Sequence, residues 1–247
     1  SDCVANNDTL AYADVILPSQ GWGEKDGTVT NSERRISRQR AFMTPHADAK
    51  ADWWMIKEVA QRMGFGNAFN YQTAGQIFAE HARLSGANNH GSRAFDISAL
   101  ANISESDYQQ MLPTQWPQPA GQRLNLNDQQ LFTDGRYFTA NQQPKMLAVS
   151  LSPLTSHKSS DELRLNTGRY RDQWHTQTRS GKSATLSHSA PEPRVDIHPE
   201  DAKAMAVKDN QLALIKNAAG QALLRVRVTD AQRQGELFAP IHWSQSN

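Results

Sequence analysis

A dense polar stretch restricts the folds open to this chain more than any other feature of its sequence. Residues 166–179 read NTGRYRDQWHTQTR and combine charged, amide and hydroxyl side chains with an indole and an imidazole. Burying so many polar groups in a helix or strand would carry a large desolvation cost. The stretch therefore predicts an irregular loop at the surface, held between regular elements.

The side chains of this loop suit a large polar ligand. Gly168 tolerates a positive φ and would let the backbone approach a ligand closely. Arg169 and Arg171 carry planar forks that bind phosphate or carbonyl-rich edges, and Trp174 and His175 are flat groups that can lie against a heterocycle. A solvated loop without a ligand is the alternative, but the density of charge, aromatic rings and hydroxyls favours a cofactor-binding loop.

The composition narrows the range of partners. The chain has 247 residues, enough for one large or two modest domains, and its 26 Lys and Arg against 25 Asp and Glu leave a formal net charge of +1. Because no strong field surrounds such a protein, nucleic acid and anionic membranes are not expected partners, and an anionic ligand must be bound by local arginines. A mean hydropathy of -0.69 without a long apolar run excludes a membrane span.

A single cysteine, Cys3, excludes an internal disulfide and any zinc or iron–sulfur site built from several thiolates of this chain. We expect Cys3 to be a small residue without a chemical role. The chain begins at Ser1 without an initiator methionine and ends just after a strand-like run. These ends predict a fragment of a longer protein.

The first part of the chain has the patterns of an α/β region. An apolar run, Leu10–Leu17, stops at Pro18 and predicts a short buried strand. A helix is predicted to begin at Asp52, as its N-cap, and to stop at Gly64. The apolar residues that recur at helical spacing there are Ile56, Val59, Ala60 and Met63.

Further turn and cap signals follow. Thr73 with Gln76 predicts a capping box at the start of a second helix, and Ser104–Leu112 predicts a third. Asp134–Gly135 lies between Leu131–Thr133 and Arg136–Phe138 and predicts a two-residue hairpin, and Met146–Leu151 predicts a further strand.

The last part of the chain predicts a β unit. Leu224, Val226 and Val228 alternate with Arg225 and Arg227, as expected of a strand with one buried face. The predicted elements are the strands Leu163–Leu165, Val195–Ile197, Gln211–Ile215, Ala222–Val228 and Leu237–Ala239, with a short helix Glu200–Ala206 that Pro199 opens.

Two ordered blocks of sequence resemble one known family. Thr167–Arg169 and Trp174–Thr176, ahead of Arg194–Ala202, are similar to the C-terminal domain of the molybdenum oxidoreductases that bind bis(molybdopterin guanine dinucleotide). An earlier block resembles the preceding domain of the same enzymes and consists of Ala13–Pro18, Glu24–Thr28 and Asn31–Arg35. Within this family the chain is most similar to bacterial nitrate reductases of the assimilatory type.

The resemblance implies an α+β fold class with two domains. Residues 1–145 would be a truncated α/β segment of the formate dehydrogenase/DMSO reductase kind, with a β-hairpin connector. Residues 146–247 would be a double-psi β-barrel, similar to aspartate decarboxylase, that binds the dinucleotide.

The resemblance also implies a set of cofactor contacts. Asp52 has an alternative role as a helix cap, and His242 and Trp243, near the family's active-site funnel, are not included in the set. No catalytic residue or metal ligand is expected in this chain, because the family's molybdenum-ligating cysteine would lie upstream of Cys3. The implied contacts are Ser1, Asp2, Lys25, Asp52, Thr167, Gly168, Arg169, Tyr170, Arg171, Asp172, Gln173, Trp174, His175 and Thr176.

By the same resemblance, the parent enzyme reduces nitrate to nitrite by oxygen-atom transfer at molybdenum and is cytoplasmic. Its partners would be the molybdopterin cofactor, the remaining N-terminal part of the enzyme with a 4Fe-4S cluster, and an unidentified electron donor. This chain alone is expected to be inactive. The alternatives are a formate dehydrogenase of the same family and a non-catalytic β-barrel interaction module.

Overall fold

The structure, a computed structural model, describes residues 1–5, 7–151 and 162–243. The chain divides into one unit of residues 1–6 and 12–149 and a second of residues 7–11 and 150–247. Each unit has its own sheet and its own apolar core. Within these ranges no helix has both the length and the apolar character needed to cross a bilayer.

A small antiparallel sheet lies at the centre of the first unit. Its strands β1 (Gly27–Thr30), β2 (Arg35–Gln39) and β3 (Thr114–Gln115) are hydrogen-bonded in that order. Ile36 of β2 contributes to the core, whose other buried members are Phe78, Ala82, Ile97, Leu100, Tyr108 and Met111.

The unit has the helices α1 (Asp52–Ala60), α2 (Ala74–Gly86) and α3 (Glu105–Gln110), of which α2 and α3 contribute buried residues to this core. Thr73 caps α2 by accepting from the backbone N–H of Gln76 (3.3 Å), which confirms half of the predicted box. The Gln76 side chain accepts from the N–H of Gln72 instead of that of Thr73. This unit also has short 3-10 turns at Trp22–Glu24 and Ser98–Leu100. A further 3-10 turn occupies Asp8–Tyr12.

The apolar residues at helical spacing confirm a helix in α1, but most of them are not buried. Ala60 is buried, but Ile56, Val59 and Met63 are each at least half exposed. The helix instead buries Met55 and the aliphatic stem of Lys57. The helix does extend past Ala60 as a wider turn, Gln61–Phe65, in which Gly64 has a φ of 91°.

Two predicted strands and one predicted hairpin between residues 10 and 151 are also wrong. Leu10–Leu17 contains the end of the 3-10 turn Asp8–Tyr12, followed by irregular chain. Extended pairing starts only at Leu17, whose carbonyl accepts from the Asp2 N–H. Around Asp134–Gly135 the chain forms turns, and Phe132 stacks on Tyr137 at 4.6 Å between ring centroids instead of pairing across strands. Met146–Leu151 is exposed and lies outside both sheets.

The second unit is built on a five-stranded mixed sheet. Its order is β4 (Arg164–Gly168), β8 (Glu236–Pro240), β5 (Arg194–Ile197), β7 (Gln221–Val228) and β6 (Leu212–Lys216). The pairs β4–β8 and β5–β7 are parallel, and the pairs β5–β8 and β6–β7 are antiparallel. Parallel neighbours far apart in sequence bring the end of β4 next to the end of β8.

The core of this unit follows the predicted alternation. Val226 of β7 is buried with Val195 and Ile197 of β5, and Leu224 and Val228 pack beside them. The predicted short helix is α5 (Pro199–Ala204), with Pro199 in its first turn. The other helical elements are α4 (Ala184–Ser187) and the 3-10 turn Ser180–Lys182.

Candidate functional site

Three of the four predicted contacts in the first unit bond to one another. Asp52 begins α1, and its carboxylate accepts from the Lys25 ammonium at 2.6 Å and from the Ser1 hydroxyl at 3.0 Å. Lys25 stands after the turn Trp22–Glu24, which holds it opposite the helix start. The sequence-predicted residues Ser1, Lys25 and Asp52 thus form one cluster, called here the Asp52 cluster.

The role of Asp52 is electrostatic and is not that of an N-cap. The capping position belongs to Ala51, and no side chain makes a cap hydrogen bond there. Partial burial alone would raise the pKa of Asp52, but hydrogen bonds from Lys25 and Ser1 outweigh it and hold the pKa below its ordinary value. The carboxylate is therefore ionised, which also suits its place in the first turn of a helix.

Asp2 is the fourth predicted contact, and its backbone joins it to the chain after Pro18. Its N–H donates to the Leu17 carbonyl (3.3 Å) and its carbonyl accepts from the Ser19 N–H (3.0 Å). Its carboxylate accepts from the N–H of Val4 at 2.9 Å. Asp2 thereby fixes the chain next to Ser1. A largely apolar cleft of about 560 Å³ opens beside the cluster, lined by Ser1, Leu17, Asp52, Ile56 and Val59 with further side chains of α1 and the turn after it.

In the second unit, the predicted binding loop begins where β4 ends. Gly168 pairs with Pro240 of β8 and does not have the positive φ that the sequence suggested. Its lack of a side chain serves a different purpose, because an added Cβ would lie 2.8 Å from Cε2 of Phe238. The glycine is needed for packing against a neighbouring strand.

Two loop residues point inward and anchor the loop. Tyr170 is half-buried, and its ring packs near Phe238 and His242. Burial, together with the nearby Asp196 carboxylate, raises the pKa of the Tyr170 phenol. Gln173 is buried and its side-chain oxygen accepts from the Ser180 hydroxyl at 2.7 Å, while that hydroxyl oxygen accepts from the Trp174 N–H at 3.0 Å.

The residues beside these anchors face outward. Arg169, Trp174, His175 and Thr176 are exposed, and Thr167 is exposed at the end of β4. The His175 ring stands edge-on to Trp174 at 4.6 Å, and the guanidinium groups of Arg169 and Arg179 lie 6.0 and 5.4 Å from the indole centroid. The loop therefore presents a platform of aromatic rings and cations.

Arg171 and Asp172 satisfy each other. Two hydrogen bonds of 2.8 and 2.9 Å join the guanidinium to the carboxylate. The hydrogen bond from Arg171 lowers the pKa of Asp172, and the hydrogen bond to Asp172 raises the pKa of Arg171. The guanidinium of Arg171 is therefore already paired with a carboxylate, whereas the sequence led us to expect that it would be open to a phosphate. Both residues also line a polar cleft of about 440 Å³ with Tyr170, Arg194 and Arg227.

One loop residue suggests that the protein alone does not complete this site. Gln177 has a φ of 59°, which is uncommon for a residue with a side chain. Its buried Nε2 finds no hydrogen-bond partner among the residues that the structure describes. A buried unpaired amide donor, next to outward-facing cations and rings, fits a site for a ligand rich in acceptor oxygens.

Sequence reasoning missed the residues that support the loop. Ser180 is buried beneath it, and His242 is fully buried and contacts its main chain. Asp196 on β5 is buried and forms a two-fold ion pair with Arg227 of β7. The alternation of β7 signals an outward Arg227, but no sequence pattern links the loop to His242.

We also searched residues 1–5, 7–151 and 162–243 for side chains that could bind a metal ion. There, no group of three or more His, Cys, Asp and Glu side chains could hold a metal ion.

Comparison with known proteins gives the family. Residues 163–247 match the family described as "Molydopterin dinucleotide binding domain", and residues 1–62 match "Molybdopterin oxidoreductase". The chain belongs to the molybdopterin oxidoreductases. This oxidoreductase family binds a molybdopterin dinucleotide, and the loop and the Asp52 cluster fall in the two matched regions.

Similar proteins include nitrate reductases and formate dehydrogenases. A nitrate reductase of Klebsiella oxytoca is 42% identical over 99% of this chain and 28% of its own length. A nitrate reductase of Synechocystis is 34% identical over 98% of this chain and 33% of its own length. An F420-dependent formate dehydrogenase subunit alpha of Methanocaldococcus jannaschii is 28% identical over 97% of this chain and 33% of its own length. The chain thus spans about a third or less of these relatives.

The fold has a counterpart among solved structures. Acetylene hydratase from Pelobacter acetylenicus superposes with a TM-score of 0.65 at 18% identity, covering 91% of this chain and 30% of that one. This likeness supports the mixed α and β architecture.

Proposed function

We propose that this chain supplies part of the binding site for a molybdopterin guanine dinucleotide in a nitrate reductase. The observation that carries the proposal is the loop after β4, where anchors point inward and rings and cations point outward within the matched dinucleotide-binding region. Identity of 42% to a nitrate reductase supports nitrate as the substrate.

Each part of the loop suits a part of the cofactor. Arg169 offers a guanidinium to a pyrophosphate, and the hydroxyl of Thr167 and the donor of Gln177 suit hydroxyl or carbonyl oxygens. Trp174 and His175 offer flat surfaces to the pterin. When bound, the cofactor supplies the molybdenum at which nitrate gives up an oxygen atom, and this chain's residues bind and orient it.

The Asp52 cluster is proposed as a second contact region. The ionised Asp52 carboxylate can accept from the amino and ring N–H groups of a guanine, while Lys25 can turn from Asp52 toward a phosphate. Asp2 and Ser1 would complete this region at the chain's first residues.

The remaining parts of the proposal rest on the resemblance. They are the bis form of the dinucleotide, a 4Fe-4S cluster and electron donor outside this chain, a double-psi barrel in residues 146–247, and a cytoplasmic enzyme. The chain alone is proposed to be inactive, because the resemblance places the molybdenum-ligating cysteine upstream of Cys3.

The proposal is tested in the full-length protein with His175→Ala. We expect lower bound molybdenum per protein and lower nitrate reduction, measured by elemental analysis and nitrite formation. His188→Ala, at an exposed histidine at the end of α4, is the matched control. Unchanged molybdenum and unchanged activity in the His175 variant would contradict the proposed role.

A formate dehydrogenase is the second candidate, supported by the 28% identity to the Methanocaldococcus enzyme. Assays of the full-length protein with nitrate and with formate separate the two. A non-catalytic interaction module is disfavoured by the family matches in both parts of the chain.

A further inference from the structure

His242 joins two distant points of the loop through its side chain. It lies two residues after β8 and is fully buried. Its Nε2 is 2.7 Å from the backbone nitrogen of Tyr170, and its Nδ1 is 2.7 Å from the carbonyl oxygen of His175. The neighbouring Ile241 N–H donates to the Gly168 carbonyl at 3.0 Å, so the chain around His242 follows the start of the loop.

The two bonds define the protonation of the imidazole. A backbone N–H can only donate, so Nε2 must be the acceptor for Tyr170. A carbonyl oxygen can only accept, so Nδ1 must carry the proton that is shared with His175. Both bonds together require a neutral ring in its Nδ1–H form.

Between these points the loop is also held by Ser180, whose hydroxyl donates to the Gln173 side chain at 2.7 Å and accepts from the Trp174 N–H at 3.0 Å. The Gln173 N–H reaches the Tyr170 carbonyl only at 3.4 Å, and the Arg171–Asp172 pair is exposed. Beyond His175, the chain is held again by the bond of the Gln177 N–H to the Trp174 carbonyl. Ser180 thus holds the segment from within, and the two bonds of His242 hold its two ends, Tyr170 and His175.

We propose that His242 is a positioning residue that clasps the segment Tyr170–His175 and holds the outward rings of Trp174 and His175 in place for the cofactor. Its consequence for the cofactor rests on the proposed function; the clasp itself does not. His242 acts through the main chain and requires no contact with the ligand.

The first test measures backbone amide exchange by mass spectrometry in the wild-type protein, His242→Phe and His242→Gln. Phenylalanine fills similar space but has no donor or acceptor. The side-chain amide of glutamine has a donor nitrogen and an acceptor oxygen bonded to the same carbon. It therefore resembles the imidazole, whose donor and acceptor nitrogens are both bonded to Cε1. We expect exchange in residues 170–175 to rise at least about tenfold in the Phe variant, the loss of one hydrogen bond. Glutamine should restore much of the protection.

The β6–β7 hairpin is the internal control, since its pairing does not involve the loop. Faster exchange in the loop with an unchanged hairpin supports the clasp. Unchanged loop exchange in His242→Phe overturns it. If the Phe variant does not fold, nitrogen NMR of the wild-type histidines decides the matter: a buried Nδ1–H ring supports the clasp, and its absence overturns it.

The second test measures bound molybdenum in full-length His242→Phe and His242→Gln beside His175→Ala. Loss in the Phe variant with recovery in the Gln variant supports positioning. Loss in His175→Ala without loss in His242→Phe overturns the positioning role alone. No loss in either variant instead contradicts the proposed function, while the exchange experiment still reports on the clasp.

Discussion

In the Asp52 cluster the predicted residues bond to one another, whereas in the loop after β4 they are held by residues that were not predicted. Lys25 and Ser1 both donate to Asp52, so a ligand must compete with bonds that already exist. In the loop, Ser180 and His242 supply the support, and Arg169, Trp174 and His175 face outward. Residues that resemble a family's ligand contacts can therefore be held in place in two ways. They can bond to one another, as in the Asp52 cluster, or they can be supported by residues that are not ligand contacts, as in the loop.

The largest expected effect on stability comes from a substitution at Gly168, where the loop begins. Gly168→Val would place a side chain 2.8 Å from Phe238, and overpacking of this kind costs about 1–3 kcal/mol of unfolding free energy. Gly27→Val is the matched control, because an added Cβ there meets no atom within 4 Å. Denaturant unfolding of both variants measures the difference. Equal stability of the two variants would mean that the loop does not depend on this close contact.

A second prediction separates two arginines of one loop. Arg169→Gln should weaken cofactor retention by about tenfold or more, the value of one charged hydrogen bond. Arg171→Gln should have a much smaller effect, because its fork already binds Asp172. Bound guanine nucleotide per full-length protein is the measurement. A larger loss for Arg171 than for Arg169 would show that the ion pair opens toward the ligand.

The smallest expected effect concerns the Asp52 cluster. Asp52→Asn should lower stability by less than about 1 kcal/mol, because the pair with Lys25 is partly exposed and screened by solvent. Since the folded pKa of Asp52 is depressed, this contribution is present above its ordinary value of 3.8 and is lost as the pH falls through the lower folded value. Unfolding of both proteins across acidic pH measures it.

The control for that experiment is Asp14→Asn, at an exposed carboxylate outside the cluster. A stability difference for Asp52→Asn that persists unchanged at the lowest pH would contradict the ionic origin of the effect.

The strands β5 to β8 and the helix α5 could be predicted from the sequence to within about two residues, whereas β4 ends three residues later than predicted and α4 was not predicted. The strand β6 alternates between exposed and half-buried residues, as expected of a strand with one covered face, and Pro199 marks α5. Leu10–Leu17 and the hairpin around Asp134–Gly135 failed, because an apolar run or a turn signal becomes a strand only where a neighbouring backbone edge accepts it.

The position of the irregular loop after β4 could be predicted from the sequence, but its detail could not. Composition located the loop, yet nothing in an irregular segment separates the inward Gln173 from the outward Trp174, since no period governs such a chain. The apolar spacing of Ile56, Val59 and Met63 predicted a helix correctly, but it could not show that all three side chains are at least half exposed, because spacing does not say what covers a face. His242 contacts a segment about seventy residues away, which local patterns cannot reveal.

The pairing of β4 with β8 has a consequence for the order of assembly during synthesis. The partner strand of β4 leaves the ribosome only after the three intervening strands. Until then the segment around Trp174 has neither its neighbouring edge nor its buried imidazole. Residues made later thus complete the support of a loop made earlier, so a nascent chain stopped before Glu236 lacks both the strand and the imidazole that hold this loop.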